Sequence, residues 1–304
     1  MTGHVRGWRR REMLGAIAAA PLVVAGSAAA APATRAVPSS GQPVLVVGLG
    51  TWITFNVGDD PVLRDECADV MAAFFQAGGG MIDSSPMYGS SQPVVGHGLA
   101  RLGHPPGLFS ADKVWTSGDG AAQIERSRQF WGVPQFDLLQ VHNLADWERK
   151  LPLLQEMKAA GQLGHVGITT SEGRRHGEFV RVMQGHRLDF IQVTYNVLDR
   201  EVEERILPLA QERGIGVIVN RPFRQGALTR ALEGQPLPSV AAELGCTSWA
   251  QLLLKFILAH PAVTCAIPAT TRVDHVQENM QAAEGKLPDA ALRRRIVAEV
   301  EAVL

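Results

Sequence analysis

The 304-residue chain carries 29 basic and 30 acidic side chains for a net charge of −1, and is 46% hydrophobic and 19% charged. That near-neutral balance excludes a basic field for nucleic acid and a polybasic membrane patch. The length bounds the fold to one medium-large globular domain, or two at most. The three cysteines, Cys67, Cys246 and Cys265, are scattered, without a C-x-x-C or Cys/His cluster. They read as buried thiols, and no metal site is expected.

Taken in order, the chain opens with Arg9-Arg10-Arg11-Glu12-Met13-Leu14, then an Ala-rich apolar run from Ala16 to Ala31. Ala28 to Ala33 offer small-residue cleavage points. Charged, apolar and small-residue regions in that order describe a signal peptide, and Arg10-Arg11-x-Met-Leu resembles the twin-arginine export motif. Residues 1–40 are therefore assigned to a leader and linker, and 41–304 to the folded domain. The expected location is periplasmic or otherwise exported, and cytoplasmic if the leader is not used. No stable membrane association is expected once the leader is removed.

From Val44 onward, short apolar runs alternate with longer amphipathic stretches. The predicted strands are Val44–Gly48, Met81–Asp83, Val114–Thr116, Asp137–His142, Val166–Thr170, Phe190–Tyr195, Gly216–Asn220 and Cys265–Pro268. Several are apolar on both faces, as strands of a covered parallel sheet must be. Helical spacing appears between them, first as Cys67, Val70, Met71, Phe74 and Phe75 within Arg64–Ala77. Later helices are predicted over Gln92–Leu102, Ala122–Trp131, Trp147–Ala160, Glu178–Met183, Val202–Arg213, Ser248–Ala259, Val273–Ala283 and Ala290–Val303. Gly161, Gly185 and Gly214 stand where helix C-caps fall. Eight strand–helix units over roughly 250 residues predict an α/β fold of the (β/α)8, or TIM-barrel, type. The rival is a dinucleotide-binding α/β sheet, suggested by Gly48-Leu-Gly50. Its fingerprint fails, because the third glycine position is Ile53. Gly48 and Gly50 read instead as a strand end where backbone comes close to a ligand.

The chemistry centres on Gly78-Gly-Gly-Met-Ile-Asp-Ser-Ser-Pro-Met-Tyr-Gly-Ser-Ser91. Asp83 ends a very short strand and Tyr88 follows in a loop shaped by Pro86 and Gly89. Lys113 enters the apolar run Lys-Val-Trp-Thr, and His142 ends Leu-Leu-Gln-Val-His. A lysine in such a strand needs a carboxylate partner, and Asp83 is the candidate. An ammonium beside a phenol favours the phenolate, which would let Tyr88 exchange a proton near neutral pH. His142 is placed to hydrogen-bond a substrate carbonyl.

The order and local words of these residues resemble the aldo-keto reductase superfamily. The words are Gly48-Leu-Gly-Thr-Trp52, Met81-Ile-Asp-Ser-Ser-Pro-Met-Tyr-Gly89, Lys113-Val-Trp-Thr116, Leu139-Gln-Val-His-Asn143, Gly167-Ile-Thr-Thr-Ser171, Gln192-Val-Thr-Tyr-Asn196 and Ile267-Pro-Ala-Thr-Thr-Arg-Val-Asp-His-Val-Gln-Glu-Asn279. The resemblance implies reversible reduction of an aldehyde or ketone with NADP(H), NAD(H) being possible. It assigns the general acid to Tyr88, the pKa-lowering cation to Lys113, that cation's partner to Asp83 and carbonyl orientation to His142.

The same resemblance places the cofactor bed at Gly50, Thr51, Trp52, Thr169, Thr170, Gln192, Asn220, Arg221, Phe223, Arg224, Thr270, Arg272, Glu278 and Asn279. Gln192 takes the carboxamide contact, and Thr169-Thr170 replace the usual Ser-Asn pair. Asn220 stands where an aromatic ring commonly stacks on the nicotinamide. Ala269 and His275 replace two cations that usually grip the 2′-phosphate, which leaves Arg272 as substitute. Trp52, Met87 and Trp115 are candidates for the substrate pocket, with Phe55 and Trp147 as further apolar walls. Pro288–Leu304 reads as a short closing helix, which leaves the cleft open. The alternative function is a cofactor-binding barrel with little or no turnover. A small carbonyl compound is the expected substrate, with no nucleic-acid partner and the oligomeric state open.

Overall fold

The computed structural model describes residues 1–4 and 33–304 of the chain; the leader motif and its apolar run lie outside the described residues. The first hairpin, β1 (Thr34–Ala36) and β2 (Pro43–Leu45), is antiparallel. It plugs one end of a barrel. Val37 and Val44 pack with Met81, Phe109, Leu138, Phe190, Ile218, Cys265 and Ile267 in a small internal cluster. Arg35 ties the hairpin down by donating to the carbonyls of Leu258 at 2.6 Å, His260 at 3.0 Å and Val263.

Eight parallel strands follow: β3 (Leu49–Gly50), β4 (Met81–Asp83), β5 (Phe109–Val114), β6 (Phe136–Val141), β7 (Leu163–Thr169), β8 (Phe190–Thr194), β9 (Gly216–Asn220) and β10 (Val263–Ala266). Each pairs with the next in sequence. The ring closes through parallel bridges Val47–Ala266 and Gly50–Ala269, with the Gly48 and Gly50 amides donating to the Ala266 and Pro268 carbonyls at 2.8 and 2.9 Å. This is the expected (β/α)8 barrel.

Register explains which side chains face the barrel axis. Asp83 pairs with Ala111, Lys113 with Gln140, and Thr169 with Gln192. Side chains alternate along a strand, so Phe109, Ala111 and Lys113 all point inward. The closed end is apolar and the open end polar. Asp112, between them, points outward to the helices.

Those helices are α1 (Pro61–Gln76), α2 (Ser91–Arg101), α3 (Gly120–Trp131), α4 (Trp147–Ala159), α5 (His176–Gly185), α6 (Ile206–Glu212), α7 (Ala227–Ala231), α8 (Ser239–Glu243), α9 (Trp249–Leu258), α10 (Val273–Gln281) and α11 (Ala290–Glu301). Asp60 caps α1 by accepting from the Val62 and Leu63 amides, with Pro61 as its first residue, as first-turn chemistry favours. The buried stripe of α1 includes Cys67, Val70, Met71 and Phe74. No helix of the described residues is long and apolar enough to cross a membrane.

The structure shifts several boundaries. Thr34–Ala36, assigned to the linker, is part of the folded unit. Val44 and Leu45 belong to the hairpin, and the first barrel strand is only Leu49–Gly50. The third barrel strand ends at Val114 rather than beginning there, which puts Lys113 near its polar end. The last strand runs from Val263 to Ala266, two residues earlier than predicted. Gly161 and Gly214 take positive φ after α4 and α6, whereas Gly185 does not, and extended His186 ends α5. A Cβ on Gly48 would meet the Met81 carbonyl at 2.9 Å, and one on Gly50 the Ile267 carbonyl at 2.7 Å. The close approach at both glycines is to neighbouring backbone, and Gly50 also lines the cavity at the polar rim.

Candidate active site

At the polar rim, Asp83 and Lys113 are both buried, and Lys113 Nζ lies 2.5 Å from Asp83 Oδ1 and 2.8 Å from the Ser84 carbonyl. The other carboxylate oxygen accepts from Gln192 Nε2 at 2.8 Å and Gln140 Nε2 at 3.4 Å. Thr51 Oγ1 donates to the Asp83 carbonyl at 2.9 Å and accepts from Ser91 Oγ at 2.7 Å. Burial opposes the Lys113 charge, but Asp83 and Tyr88 facing it hold the ammonium above its ordinary pKa. A buried pair so fully hydrogen-bonded keeps its charges where either ion alone would not.

Tyr88 leaves β4 through a turn in which its amide donates to the Ser85 carbonyl at 3.0 Å. Lys113 Nζ sits 5.0 Å from the centre of its ring. The His142 ring meets it edge-on at 5.7 Å, and Trp52 flanks it at 6.5 Å. Burial pushes the phenol pKa above its ordinary value; the Lys113 charge pulls the other way and is outweighed. This corrects the expectation of a phenol acidified toward neutrality. In the protein without cofactor Tyr88 keeps its proton, and the ammonium limits the rise instead of reversing it.

His142 starts a single 3-10 turn after β6, and its Nδ1 lies 2.8 Å from Ser85 Oγ. Its pKa is held well below the usual imidazole value by burial, with the positive charges of Lys113 and Arg174 adding to the effect. The ring is therefore neutral at physiological pH.

These groups face a cavity of about 280 Å³ lined by Gly50, Thr51, Trp52, Asp83, Met87, Tyr88, His142, Thr169, Gln192, Asn220, Arg221 and Phe223, among others. Gln192, expected at the nicotinamide carboxamide, donates one amide hydrogen to Asp83 Oδ2. Its Oε1 faces Asn220 Nδ2 at 3.4 Å. Asn220 also donates to the Thr170 carbonyl at 3.1 Å and accepts from Thr194 Oγ1 at 2.7 Å. Arg221 lies 4.9 Å over the Trp52 ring and pairs with Glu172. Phe223, Gly226 and Ala269 border both this cavity and a second one that Thr270, His275, Glu278 and Asn279 also line. The two hollows adjoin through these three residues, so the rim is hollowed both beside Tyr88 and beside the residues of α10.

Some expected contacts point elsewhere. Trp115 is 44% exposed and lies outside the cavity lining, because its strand ends at Val114. Phe55 is buried in the core, and Trp147 Nε1 bonds Glu178 at 2.9 Å. Thr170 turns its hydroxyl to the Arg174 carbonyl. Arg224 pairs with Asp199 at 3.0 Å, and Arg272 pairs with Asp274 on the surface. Sequence reasoning also missed residues of the site. Ser85 was hidden inside a recognised word. Asn143, which closes the word Leu139-Gln-Val-His-Asn143, reaches the cavity from the 3-10 turn, and Arg174 reaches it from a loop without a local pattern. Ile53 does so with φ +67, rare for a β-branched residue.

Residues 46–295 match the Aldo/keto reductase family. Methylglyoxal reductase YeaE of Escherichia coli K12 is 27% identical over 253 residues, covering 81% of this chain and 88% of that protein. The NADH-specific methylglyoxal reductase of the same organism is 25% identical over 308 residues, covering 80% and 91%. Among solved structures, an aldo/keto reductase from Klebsiella pneumoniae in complex with NADP and acetate superposes with a TM-score of 0.70 at 22% identity, covering 86% of this chain and 93% of that one. With a family match spanning every barrel strand and the rim that bears Asp83, Tyr88, Lys113 and His142, the chain belongs to the aldo/keto reductase family.

Proposed function

We propose that this protein reduces a small aldehyde or ketone to the alcohol, reversibly, with a nicotinamide dinucleotide as cofactor. The observation that carries the reading is the buried Lys113–Asp83 pair set under the Tyr88 ring, with neutral His142 on the same wall of the cavity. When bound, the nicotinamide supplies the hydride to the carbonyl carbon. Tyr88 supplies the proton to the carbonyl oxygen, and its raised pKa keeps that proton in place before reaction. The Lys113 ammonium stabilises the phenolate left behind, and Asp83 keeps that ammonium charged and fixed. His142 hydrogen-bonds the carbonyl oxygen and sets its orientation against Tyr88.

For the cofactor, Thr169, Gln192, Asn220 and Arg221 would hold the nicotinamide end, and Thr270, Glu278 and Asn279 the adenosine end. Relatives include one solved with NADP and one named NADH-specific. In this chain Ala269 carries no charge and Arg272 is held by Asp274. Those features support acceptance of both nucleotides. The chain's own departures, Asn220 above all, favour a second reading, a cofactor-binding barrel with little turnover. Turnover of an aldehyde panel that includes methylglyoxal, with NADPH and with NADH, separates the two. Tyr88→Phe should lower kcat about 10²–10⁴-fold and leave cofactor affinity unchanged. Wild-type turnover in that variant would remove Tyr88 as the acid.

Export by a twin-arginine leader is part of the proposal. It rests on Arg10-Arg11-Glu-Met-Leu and the Ala16–Ala31 run. Ala33 is tied into the barrel unit through the Ala283 and Val46 backbones, so cleavage before it would keep those two hydrogen bonds. N-terminal sequencing of exported protein should begin within or just after Ala28–Ala33. An intact Met1 in that fraction would refute cleavage.

A further inference from the structure

We infer that Ser85 is a positioning residue that fixes the tautomer of His142, so that Nε2 carries the hydrogen offered to the substrate carbonyl. The inference rests on the carbonyl-reduction reading and assigns a group within that site. Ser85 is fully buried and its Oγ lies 2.8 Å from His142 Nδ1. The direction of that hydrogen bond follows from what else the hydroxyl does. Ser85 Oγ accepts the Met87 amide hydrogen at 3.2 Å. If Nδ1 also donated to it, the oxygen would take two hydrogens and the buried hydroxyl hydrogen would have no acceptor among the described residues. A buried donor left unmade costs about 1–3 kcal/mol. The arrangement that satisfies every group has the Met87 amide giving to Ser85 and Ser85 giving to Nδ1.

An unprotonated Nδ1 in a neutral imidazole puts the hydrogen on Nε2. Among the described residues Nε2 has no hydrogen-bond partner, and the ring lines the cavity beside Tyr88. Ser85 and Tyr88 belong to the same loop, and the Tyr88 amide donates to the Ser85 carbonyl at 3.0 Å. One turn therefore presents the phenol and orients the imidazole. Along it Asp83 holds Lys113, Ser85 sets His142, and Tyr88 gives the proton.

The tautomer can be read directly. Protein labelled with ¹⁵N-histidine and free of cofactor should show, by long-range ¹H–¹⁵N correlation at neutral pH, a His142 with Nε2 protonated and Nδ1 bare. In Ser85→Ala the Nδ1 resonance should move toward an averaged position. kcat/KM for the best aldehyde should fall about 2- to 10-fold, the range of one net hydrogen bond, with cofactor affinity unchanged. Ser85→Thr, which keeps the hydroxyl, should recover both signals. Wild-type protein with Nδ1 protonated overturns the inference, as does a Ser85→Ala variant with unaltered resonances and kinetics. Because the spectrum needs no turnover, an inactive protein with the expected tautomer would count against carbonyl reduction and leave the Ser85 assignment standing.

Discussion

Asp112 offers the sharpest test of the physical picture. Its carboxyl is buried between β5 and helices α2 and α3. Oδ1 accepts the Lys113 amide at 2.8 Å, and Oδ2 accepts from Gln92 Nε2 at 2.6 Å, which also donates to Ser127 Oγ at 2.8 Å. Burial pushes its pKa up from 3.8 to about 7, and Lys113 and Gln92 offset only part of the rise. The unfolded chain releases this proton near the ordinary carboxylate value, whereas the folded chain keeps it until about pH 7. Between those values the folded state holds more protons, so stability falls as pH rises, and the fall levels off above pH 7. The full gap is worth about 4 kcal/mol, of which about 3 lies between pH 5 and pH 8.5.

Asp112→Asn removes the titration and nearly keeps the shape. The Gln92 amide can turn so that its oxygen accepts from the introduced amide nitrogen and from the Ser127 hydroxyl, while the introduced amide oxygen still takes the Lys113 backbone hydrogen. Any imperfection in that swap is a constant offset, independent of pH. Thermal unfolding of variant and parent, both without cofactor, at about pH 5 and about pH 8.5 isolates the pH-dependent part. The variant should gain on the parent by roughly 6–12 °C between the two conditions, at about 2–4 °C per kcal/mol. A Tm difference that stays the same at both pH values refutes a buried, high-pKa carboxyl at this position.

Lys113→Met would leave Asp83 buried opposite Gln140 and Gln192 alone, and should lower stability by about 3–5 kcal/mol. Denaturant unfolding measures the loss, and a penalty under about 1 kcal/mol, the worth of a surface pair, would contradict a buried ion pair. Asn220→Tyr would exchange the amide network for a ring in the cavity wall and should tighten nicotinamide nucleotide binding about 2- to 10-fold, from an aromatic stacking gain of about 0.5–1.5 kcal/mol. Fluorescence titration measures this, and weaker binding would mean that the Asn220 hydrogen bonds matter more than a stack.

How much the sequence discloses follows from the physics of each element. Asp83 and Lys113 are legible because a lysine in an apolar parallel strand must find an acid, and the pairing register brings the nearest strand-end acid to it. The strand count is legible because covered strands need apolar residues on both faces. Boundaries are less so. The first barrel strand is only two residues long, and the apolar lead-in that seemed part of it, Val44 and Leu45, serves the hairpin instead. Trp115 looks like a pocket wall only while its strand is drawn past Val114. Arg224 and Arg272 read as free cations, yet Asp199 and Asp274 hold them. A side-chain partner set by loop conformation leaves no periodic trace. Ser85 is the opposite case: the word containing it is conspicuous, but only coordinates show that its hydroxyl reaches the His142 ring in the turn after β6.

Asn220 is tied into the cavity wall through its side-chain amide. The amide bonds Thr170, Thr194 and Gln192, and Gln192 in turn holds Asp83. A continuous line of hydrogen bonds thus runs from the cofactor wall to the carboxylate that fixes Lys113. Such a line stiffens the acid's support at the loss of a stacking face. Less stacking on a bound nucleotide and a braced carboxylate are then the two expected results of an amide at this position. In Asn220→Tyr they should separate: tighter nucleotide binding together with a Lys113–Asp83 pair that has lost one remote brace. The second effect should appear as a lower kcat at saturating cofactor, and a kcat that rises along with affinity would break the link.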